Sequence, residues 1–225
     1  MKKTTRAARF TKKIDSEVLE FSESLTVDIV LFEADLKVTM AHVQMLAKCK
    51  LITKKELETI VSGLKKIKEA VNKDKFPWSY ELEDVHMNIE SQLTKIVGNV
   101  GKKIHMGRSR NDLVTTDLRI YLRDFIDVFL IKLRDLQYAL SKMAIIYSDS
   151  LFPGYTHLQV AQPVTFGHHL LAWNEMMHRD EKRLLDVRKH LNTMPLGSAA
   201  LSGTSYKIDR KMVAKKLGFD EITNN

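Results

Sequence analysis

Apolar residues recur at steps of three and four along most of the chain, which is the spacing of one face of an α-helix. The clearest short example begins with a capping box, in which Thr53 and Glu56 each satisfy a free backbone N–H at the helix start. A last short helix is predicted between Asp209 at its N-cap and Gly218 just past its end. The mostly apolar segment from about 17 to 48 is also predicted to be helical. The pattern therefore predicts an all-α fold.

Two predicted helices are much longer than the others. No Gly or Pro interrupts residues 112–150, a stretch that would span roughly 58 Å as a helix. The next helix is predicted to begin at Pro163, a favoured first helical residue, and to run to about Asn192. Helices of this length are typical of a long-helix bundle, where neighbouring helices cover their apolar stripes. We predict a small N-terminal helical domain at residues 1–103, followed by the start of a long-helix bundle domain at 104–225.

Composition narrows the class of protein. Nine Gly and four Pro in 225 residues are too few for a sandwich or barrel built from many short strands. The single cysteine, Cys49, cannot form an internal disulfide, which excludes a disulfide-stapled secreted scaffold. No run of about 18 uncharged apolar residues is present, so no transmembrane helix is predicted. We expect a cytoplasmic protein.

The formal net charge is +8, and part of it comes from a basic N-terminal arm at residues 2–13. The arm has no apolar core of the kind that a secretory signal requires. An excess of positive charge suits a nucleic acid, a membrane surface or a substrate rich in carboxylates. Because Lys and Arg do not form one helical stripe interleaved with aromatics, we predict neither a nucleic acid nor a membrane as the partner.

Polar clusters at two helix starts are candidates for chemistry. The first cluster, residues 107–112, contains Ser109, Arg110 and Asn111 beside the start of the longest helix. Free N–H groups at a helix N-terminus attract anions, and guanidinium groups bind carboxylates with two hydrogen bonds. A plain polar capping turn is the alternative interpretation of this pattern.

The second cluster lies in a predicted loop before the other long helix. It contains Thr156 and His157, and Gln162 follows directly before Pro163. A histidine in such a place can move protons near neutral pH, and the threonine hydroxyl can hold a carboxylate oxygen. Alternatively, the histidine is an ordinary surface residue and the threonine bonds its own backbone.

A third cluster, residues 83–90, contains Asp84 and His86 and raises the alternative of a metal centre. Glu83 and His86 have the i, i+3 spacing that di-iron helical bundles use, and a second such pair occurs at residues 175 and 178. The further carboxylates would come from Glu33 or Glu56 and from Asp117 or Asp127. Nothing in the sequence specifies these four residues, and the two-residue pattern occurs often by chance, so no metal site is predicted.

Two long motifs make the chain recognisable. Residues 107–124 (GRSRNDLVTTDLRIYLRD) and 153–173 (PGYTHLQVAQPVTFGHHLLAW) resemble the argininosuccinate lyase family of the aspartase/fumarase superfamily. Shorter matches occur at residues 8–10, 21–24, 41–42, 83–90, 195–204 and 217–225. Residues 38 and 39 are Val-Thr where the family usually has Gly-Ser, a difference that we expect to alter packing only.

The resemblance implies a reaction, which is the reversible β-elimination of argininosuccinate to arginine and fumarate in arginine biosynthesis. It implies no cofactor. His157 matches the histidine of the family's acid–base machinery, and Arg110 matches a carboxylate partner. The implied substrate ligands are Ser24, Asn111 and Thr156. The implied supporting residues are Asp84, His86, Ser109 and Gln162.

The resemblance also implies a homotetramer whose long helices form a central bundle and whose active sites each combine three chains. Family members continue past the matched region with a mobile loop that carries the catalytic serine. The sequence ends at Asn225, so we expect a fragment that is inactive alone. A non-enzymatic structural derivative of the lyase fold is the remaining alternative, although the presence of Asn111, Thr156 and His157 argues against lost chemistry.

Overall fold

A computed structural model describes residues 15–224 of the chain. The predicted basic arm and the family match at residues 8–10 lie outside the described residues. The α-helices are α1 (Ser16–Ser22), α2 (Leu25–Asp28), α3 (Phe32–Lys48), α4 (Lys54–Asn72), α5 (Val85–Val97), α6 (Arg110–Ile146), α7 (Phe166–Leu191) and α8 (Arg210–Leu217). The strands are β1 (Leu151–Thr156), β2 (Gln159–Thr165), β3 (Thr193–Met194) and β4 (Glu221–Ile222). Short 3-10 helices lie at Ile29–Leu31, Tyr80–Leu82 and Gly98–His105.

The structure confirms the all-α class, the predicted start of α4 and both predicted ends of α8. The capping box at the start of α4 is formed in both directions, with Thr53 accepting from the Glu56 N–H and Glu56 accepting from the Thr53 N–H. Asp209 caps α8 through the Met212 N–H at 2.9 Å, and Gly218 follows the helix in the left-handed conformation. The longest helix, α6, has 37 residues. Local side-chain chemistry therefore sets these boundaries.

The segment at residues 17–48 is helical as predicted, but it is not continuous, because the chain breaks between α1 and α2. Glu23 is extended there, with φ −70° and ψ 144°. The N–H groups of Ser24 and Leu25 donate to the carbonyl of Glu83 at 2.8 and 3.2 Å. These tertiary hydrogen bonds replace the helical ones, so the chain turns without a glycine or a proline.

The prediction that a long helix begins at Pro163 is also wrong, because this residue lies in a β-hairpin. Strands β1 and β2 pair antiparallel, and Pro163 lies opposite Pro153. A Cβ on Gly154 would lie 2.6 Å from the Gln162 carbonyl oxygen, so this close approach requires glycine. Helix α7 begins three residues later, capped by Thr165 through the His168 N–H at 3.1 Å.

Contacts divide the described chain into two compact units, residues 15–118 with 195–224, and residues 119–194. The first unit continues past Lys103, the residue near which the sequence places a domain boundary. It does so because the first turns of α6 bury Leu113, Thr116 and Asp117 almost completely. The division at Lys103 stays a prediction about domain organisation.

The first unit has its core where α3, α4 and α5 pack together. Its large, fully buried apolar side chains include Met45, Leu46, Ile60, Leu64, Ile67, Ile89 and Leu93. A Cβ on Gly63 of α4 would lie only 2.6 Å from the Leu93 side chain, so the glycine permits close packing of α4 on α5. This core supports the starts of α5 and α6, where the candidate residues lie.

The second unit is held by contacts between α6 and α7. Ile126, Leu130 and Leu133 of α6 are buried, and Met177, Leu184 and Leu191 of α7 pack against them. The apolar stripe that the sequence predicts to be covered is open in the single chain. Its exposed members include Leu118, Phe125, Phe129, Leu136 and Met143. Among residues 15–224, no helix has the length and apolarity that crossing a membrane requires.

Candidate active site

Three helix starts of the first unit meet around a small group of polar side chains. Ser24 donates its hydroxyl to Asp28 at 2.6 Å, and Asp28 accepts the Val85 N–H at 3.1 Å. Asp84 caps α5 by accepting the Met87 N–H at 2.6 Å. The start of α2 is therefore joined to the start of α5, and two predicted residues, Ser24 and Asp84, lie in the same group.

Arg110 brings the start of α6 into this group. Its Nε lies 3.4 Å from Asp84 Oδ2, and its guanidinium also lies 3.9 Å from Glu90 Oε2. The side chain is only 15% exposed. Within the chain, the carboxylates beside Arg110 are those of Asp84 and Glu90, and its role as a partner of the substrate carboxylate stays a prediction. Asn111 follows it and is exposed, with its N–H donating to the Ser109 hydroxyl at 3.4 Å.

Asp112 is a structural residue of this site that the sequence analysis missed. Its Oδ1 accepts the Ser109 N–H at 2.8 Å. Its Oδ2 accepts the N–H groups of Gly197 and Ala199, both at 2.8 Å. One buried carboxylate therefore ties the loop that carries Arg110 to the turn after residue 195. Only the hydrogen bond to Ser109 has a sequence signal, because it is local. Gly197 and Ala199 are 85 and 87 residues away from Asp112.

Beneath the helix starts lies a buried cluster of charged groups, which we call the acid–imidazole cluster: Asp35, His86, Arg108 and Asp117. His86 Nδ1 lies 2.5 Å from Asp35 Oδ2 and 3.4 Å from Asp117 Oδ2. Arg108 donates to the Thr39 hydroxyl at 3.0 Å, and Thr39 donates to Asp35 at 2.9 Å. Each member is less than 10% exposed. His86 is thus buried between two carboxylates, and its supporting role stays a prediction.

Burial changes the acidity of this cluster. Removal from water raises the pKa of Asp117 well above its usual value, and the nearby Asp35 carboxylate raises it further. Burial also raises the pKa of Asp35, against the opposing effects of Arg108 and the Thr39 hydrogen bond. The pKa of the Arg108 guanidinium is lowered by the same loss of water. The interior therefore favours forms with less net charge.

The second unit presents the other predicted residues on the hairpin. Thr156 pairs with Gln159 across the turn, and His157 and Leu158 form its tip. Both tip residues have positive φ, 49° and 62°, and the Leu158 side chain is fully exposed. Two-residue hairpin turns with positive φ usually contain Asn or Gly, so this turn is held in a costly conformation. His157 is exposed at the tip of this strained hairpin.

The structure thus gathers some predicted residues and separates others. Ser24, Asp84, His86, Ser109, Arg110 and Asn111 belong to the first unit. Thr156, His157 and Gln162 belong to the second unit, and the Gln162 side chain is exposed on β2. Helix-start chemistry identified Ser109, Arg110 and Asn111, whereas the resemblance supplied Ser24, Asp84 and His86. For the second group, the sequence pattern predicted a loop where the structure has a hairpin.

In one of the two predicted di-iron pairs, His178 lies 3.7 Å from Glu181, a carboxylate that the sequence pattern did not nominate. Within the described part of the chain, the group whose atoms could jointly hold a metal ion is Asp35, His86 and Asp117, with ligand atoms within 4.8 Å of one another. Asp117 was nominated for a metal site from the sequence, but Asp35 was not.

Comparison with known proteins gives a family match over almost the whole chain. A family model described as "Lyase" matches residues 8–225. Argininosuccinate lyase of Alkalilimnicola ehrlichii is 52% identical over 217 residues, covering 96% of this chain and 46% of that protein. Argininosuccinate lyase of Pseudomonas syringae pv. tomato is also 52% identical, covering 96% of this chain and 47% of that protein.

Solved structures of lyases match the fold of this chain. An EDDS lyase in complex with formate matches with a TM-score of 0.80 and 30% identity, over 92% of this chain and 40% of that chain. A fumarate lyase:delta crystallin protein of Brucella melitensis shares the fold, with a TM-score of 0.73 at 18% identity, over 93% of this chain and 50% of that chain. The chain spans about half the length of the curated relatives that it matches.

Proposed function

Because the chain belongs to the lyase family whose model spans residues 8–225, we propose that the protein is an argininosuccinate lyase. The reaction is the reversible β-elimination of argininosuccinate to arginine and fumarate. The single observation that supports this chemistry best is the meeting of three helix starts around Ser24, Asp84 and Arg110. Helix N-termini and guanidinium groups together favour the binding of a dicarboxylate.

Elimination requires removal of a proton from the carbon next to a carboxylate. The resulting carbanion spreads its charge into that carboxylate, and an acid protonates the departing guanidinium nitrogen. Preorganised donors aimed at the developing charge supply the electrostatic part of such catalysis. We assign the donors to Ser24, Asn111 and Thr156. Asp84, His86, Ser109 and Gln162 support them.

We assign the proton-handling role to His157. Its place at the tip of a strained hairpin supports this assignment, because strained backbone is concentrated where function requires a fixed side chain. The imidazole is exposed in the single chain, so it is accessible to a site formed with other chains. It acts by activating or orienting another group rather than alone.

We further propose a homotetramer in which each site combines residues from several subunits. The exposed apolar residues of α6 support this assembly, since a contiguous apolar surface commonly marks a protein interface. The products place the protein in arginine biosynthesis, and we assign it to the cytoplasm.

The direct test is the formation of fumarate from argininosuccinate by the full-length protein, followed by its ultraviolet absorbance. We expect turnover without an added metal or cofactor. A full-length, folded protein that forms no fumarate from argininosuccinate would contradict the proposal and favour the non-enzymatic alternative.

A further inference from the structure

The acid–imidazole cluster lies beneath the candidate site and joins the elements that carry it. Asp35 lies on α3, His86 in the first turn of α5, and Asp117 in the second turn of α6. Arg108 lies in the loop that leads to Arg110, and it reaches Asp35 through the Thr39 hydroxyl. The contacts within this cluster therefore join the starts of α5 and α6 to α3.

Counting charges within the four residues of the cluster shows that one added proton would neutralise it. With Arg108 charged, His86 neutral and both carboxylates ionised, the cluster has a net charge of −1. An uncompensated buried charge is strongly unfavourable. One added proton, held on His86 or on a carboxyl group, brings the net charge to zero.

Unpartnered atoms point to the same conclusion. Both carboxylate oxygens of Asp117 are buried and have no hydrogen-bond partner among the described residues. His86 Nε2 is in the same situation. A proton placed between His86 Nδ1 and Asp117 Oδ2, which are 3.4 Å apart, would turn their contact into a charge-assisted or neutral hydrogen bond.

A metal ion fits the cluster less well than a proton. His86 Nδ1 and Asp35 Oδ2 are 2.5 Å apart, which is a hydrogen-bond distance. Two ligands of a tetrahedral ion with bonds of about 2.0 Å stand roughly 3.3 Å apart. The Arg108 guanidinium also already supplies a fixed positive charge to these carboxylates.

We propose that Asp117 is a positioning residue, which holds one proton jointly with His86 and Asp35 and thereby fixes the helix starts that carry Asp84, Arg110 and Asn111. The shared proton neutralises the cluster, so the three elements pack against one another without a buried net charge. The catalytic consequence of this proposal rests on the proposed function, whereas the shared proton does not.

Other charged groups near the cluster set the pH at which the proton is lost. Those from the packed elements are His42 on α3, Glu90 on α5, His105 in the preceding 3-10 helix, and Arg110 and Asp112 at the start of α6. Arg110 favours ionisation of both carboxyl groups, and Asp112 opposes that of Asp117. Each of these groups stays in place in the variants below.

The shared proton is tested by measuring proton release on unfolding. The full-length protein is unfolded with guanidinium chloride at pH 7.5 in weak buffer with a pH indicator. Unfolded Asp and His are both largely deprotonated at this pH, so we expect release of about one proton more from wild type than from Asp117→Asn. Asp135→Asn, an exposed change on the same helix, should release as many protons as wild type.

Equal release from wild type and Asp117→Asn would overturn the proposal. Stoichiometric Zn²⁺ or Mn²⁺ that raises the melting temperature of wild type, but not of Asp117→Asn, would overturn it in favour of a metal site. Proton release from wild type can be compared with Asp135→Asn and Asp35→Asn if Asp117→Asn does not fold. Asp35→Asn also removes one carboxylate from the cluster, so it should then release about one proton fewer than wild type.

The positioning role is tested with two substitutions of similar volume. Asp117→Asn keeps a polar neighbour for His86, whereas Asp117→Leu does not, so kcat/KM of the leucine variant should be at least about 10-fold lower than that of the asparagine variant. Equal kcat/KM in two folded variants would show that Asp117 has no positioning role. If wild type forms no fumarate, the proposed function fails, and proton release still decides whether the cluster holds a proton.

Discussion

At the scale of single residues, His157 combines an exposed imidazole with a left-handed backbone conformation. It occupies the first tip position of the β1–β2 turn with φ 49°. Histidine adopts this region more readily than most residues, which explains why the turn accepts it. Its backbone conformation is set by the hairpin, and its side chain is exposed.

Replacing the imidazole should affect the reaction rate more than substrate binding. In the full-length protein, we expect His157→Asn to lower kcat by about 10²- to 10⁴-fold with a much smaller change in KM, because a proton-handling group acts mainly in the transition state. Steady-state kinetics of fumarate formation measure both constants. Asparagine suits a left-handed turn position, so the hairpin should persist.

The matched control is His168→Asn, which changes an exposed histidine at the start of α7. Its kcat should stay within about twofold of wild type. A kcat for His157→Asn that is equally close to wild type would return His157 to the interpretation of an ordinary surface histidine.

At the scale of elements, the β1–β2 hairpin contains a turn residue, Leu158, whose backbone conformation destabilises it. Leu158 has φ 62° and a fully exposed side chain, so it bears the cost of the left-handed conformation without any packing in return. That cost is roughly 1–2 kcal/mol. Glycine would remove the steric cost, but its larger loss of chain entropy on folding would cancel part of the gain.

We therefore expect Leu158→Gly to raise the free energy of unfolding by about 0.5–1 kcal/mol. Leu151→Gly is the control, since Leu151 is also exposed but lies in extended β1, where glycine should destabilise the strand. Urea unfolding of both variants measures the two changes. Destabilisation by Leu158→Gly would show that the turn is not strained at this residue.

At the scale of the whole molecule, the apolar residues of α6 require a partner surface. Phe125, Phe129 and Ile131 are between 43% and 58% exposed, although they lie in the middle of a 37-residue helix. The α6–α7 packing uses the face that contains Ile126, Leu130 and Leu133 instead. We assign the open face to contacts between subunits of the proposed tetramer.

A charge placed on this face should prevent assembly. We expect Ile131→Glu to convert the full-length protein from a tetramer to smaller species, because a carboxylate would be buried without a partner in the interface. Lys132→Glu, which changes the neighbouring exposed residue, should leave the mass unchanged. Light scattering coupled to size-exclusion chromatography measures both. An Ile131→Glu protein with the mass of wild type would exclude this face from the interface.

The pH dependence of stability is also a property of the whole fold. Burial, together with the positive charge of Arg108, lowers the pKa of His42 from 6.5 to about 3, so the folded state holds it neutral. The contribution of His42 to the free energy of unfolding is fully present above pH 6.5 and is lost as the pH falls toward 3, because the unfolded state binds the proton first.

When the pH is lowered from 7 to 5, His42 should therefore reduce the free energy of unfolding of wild type by about 2 kcal/mol. His42→Gln should not show this part of the decrease. Urea unfolding at the two pH values gives the difference, in which contributions from the acid–imidazole cluster cancel to first order. His168→Gln should show the pH dependence of wild type. An unchanged pH dependence in His42→Gln would show that His42 is not held neutral by the fold.

Much of the fold follows from local chemistry that the sequence displays. Thr53, Asp209 and Gly218 have their side-chain or backbone roles within a few residues of their own position, so capping rules locate them. The break before α2 has no such signal, because the carbonyl that stops the helix belongs to Glu83. The hairpin was missed for a similar reason, since its pairing and the close approach at Gly154 are not local helix signals.

Amino-acid order by itself determined the helical class, the polar helix starts, and the motifs that predict a lyase, because capping, periodicity and motif spacing act over short stretches of chain. Tertiary structure decided that Asp35 and Asp117 enclose His86, that Asp112 joins two distant loops, and that His157 stands on a hairpin. These depend on contacts between residues far apart in the chain. The energies of such contacts come from burial and charge, which no short stretch of sequence contains.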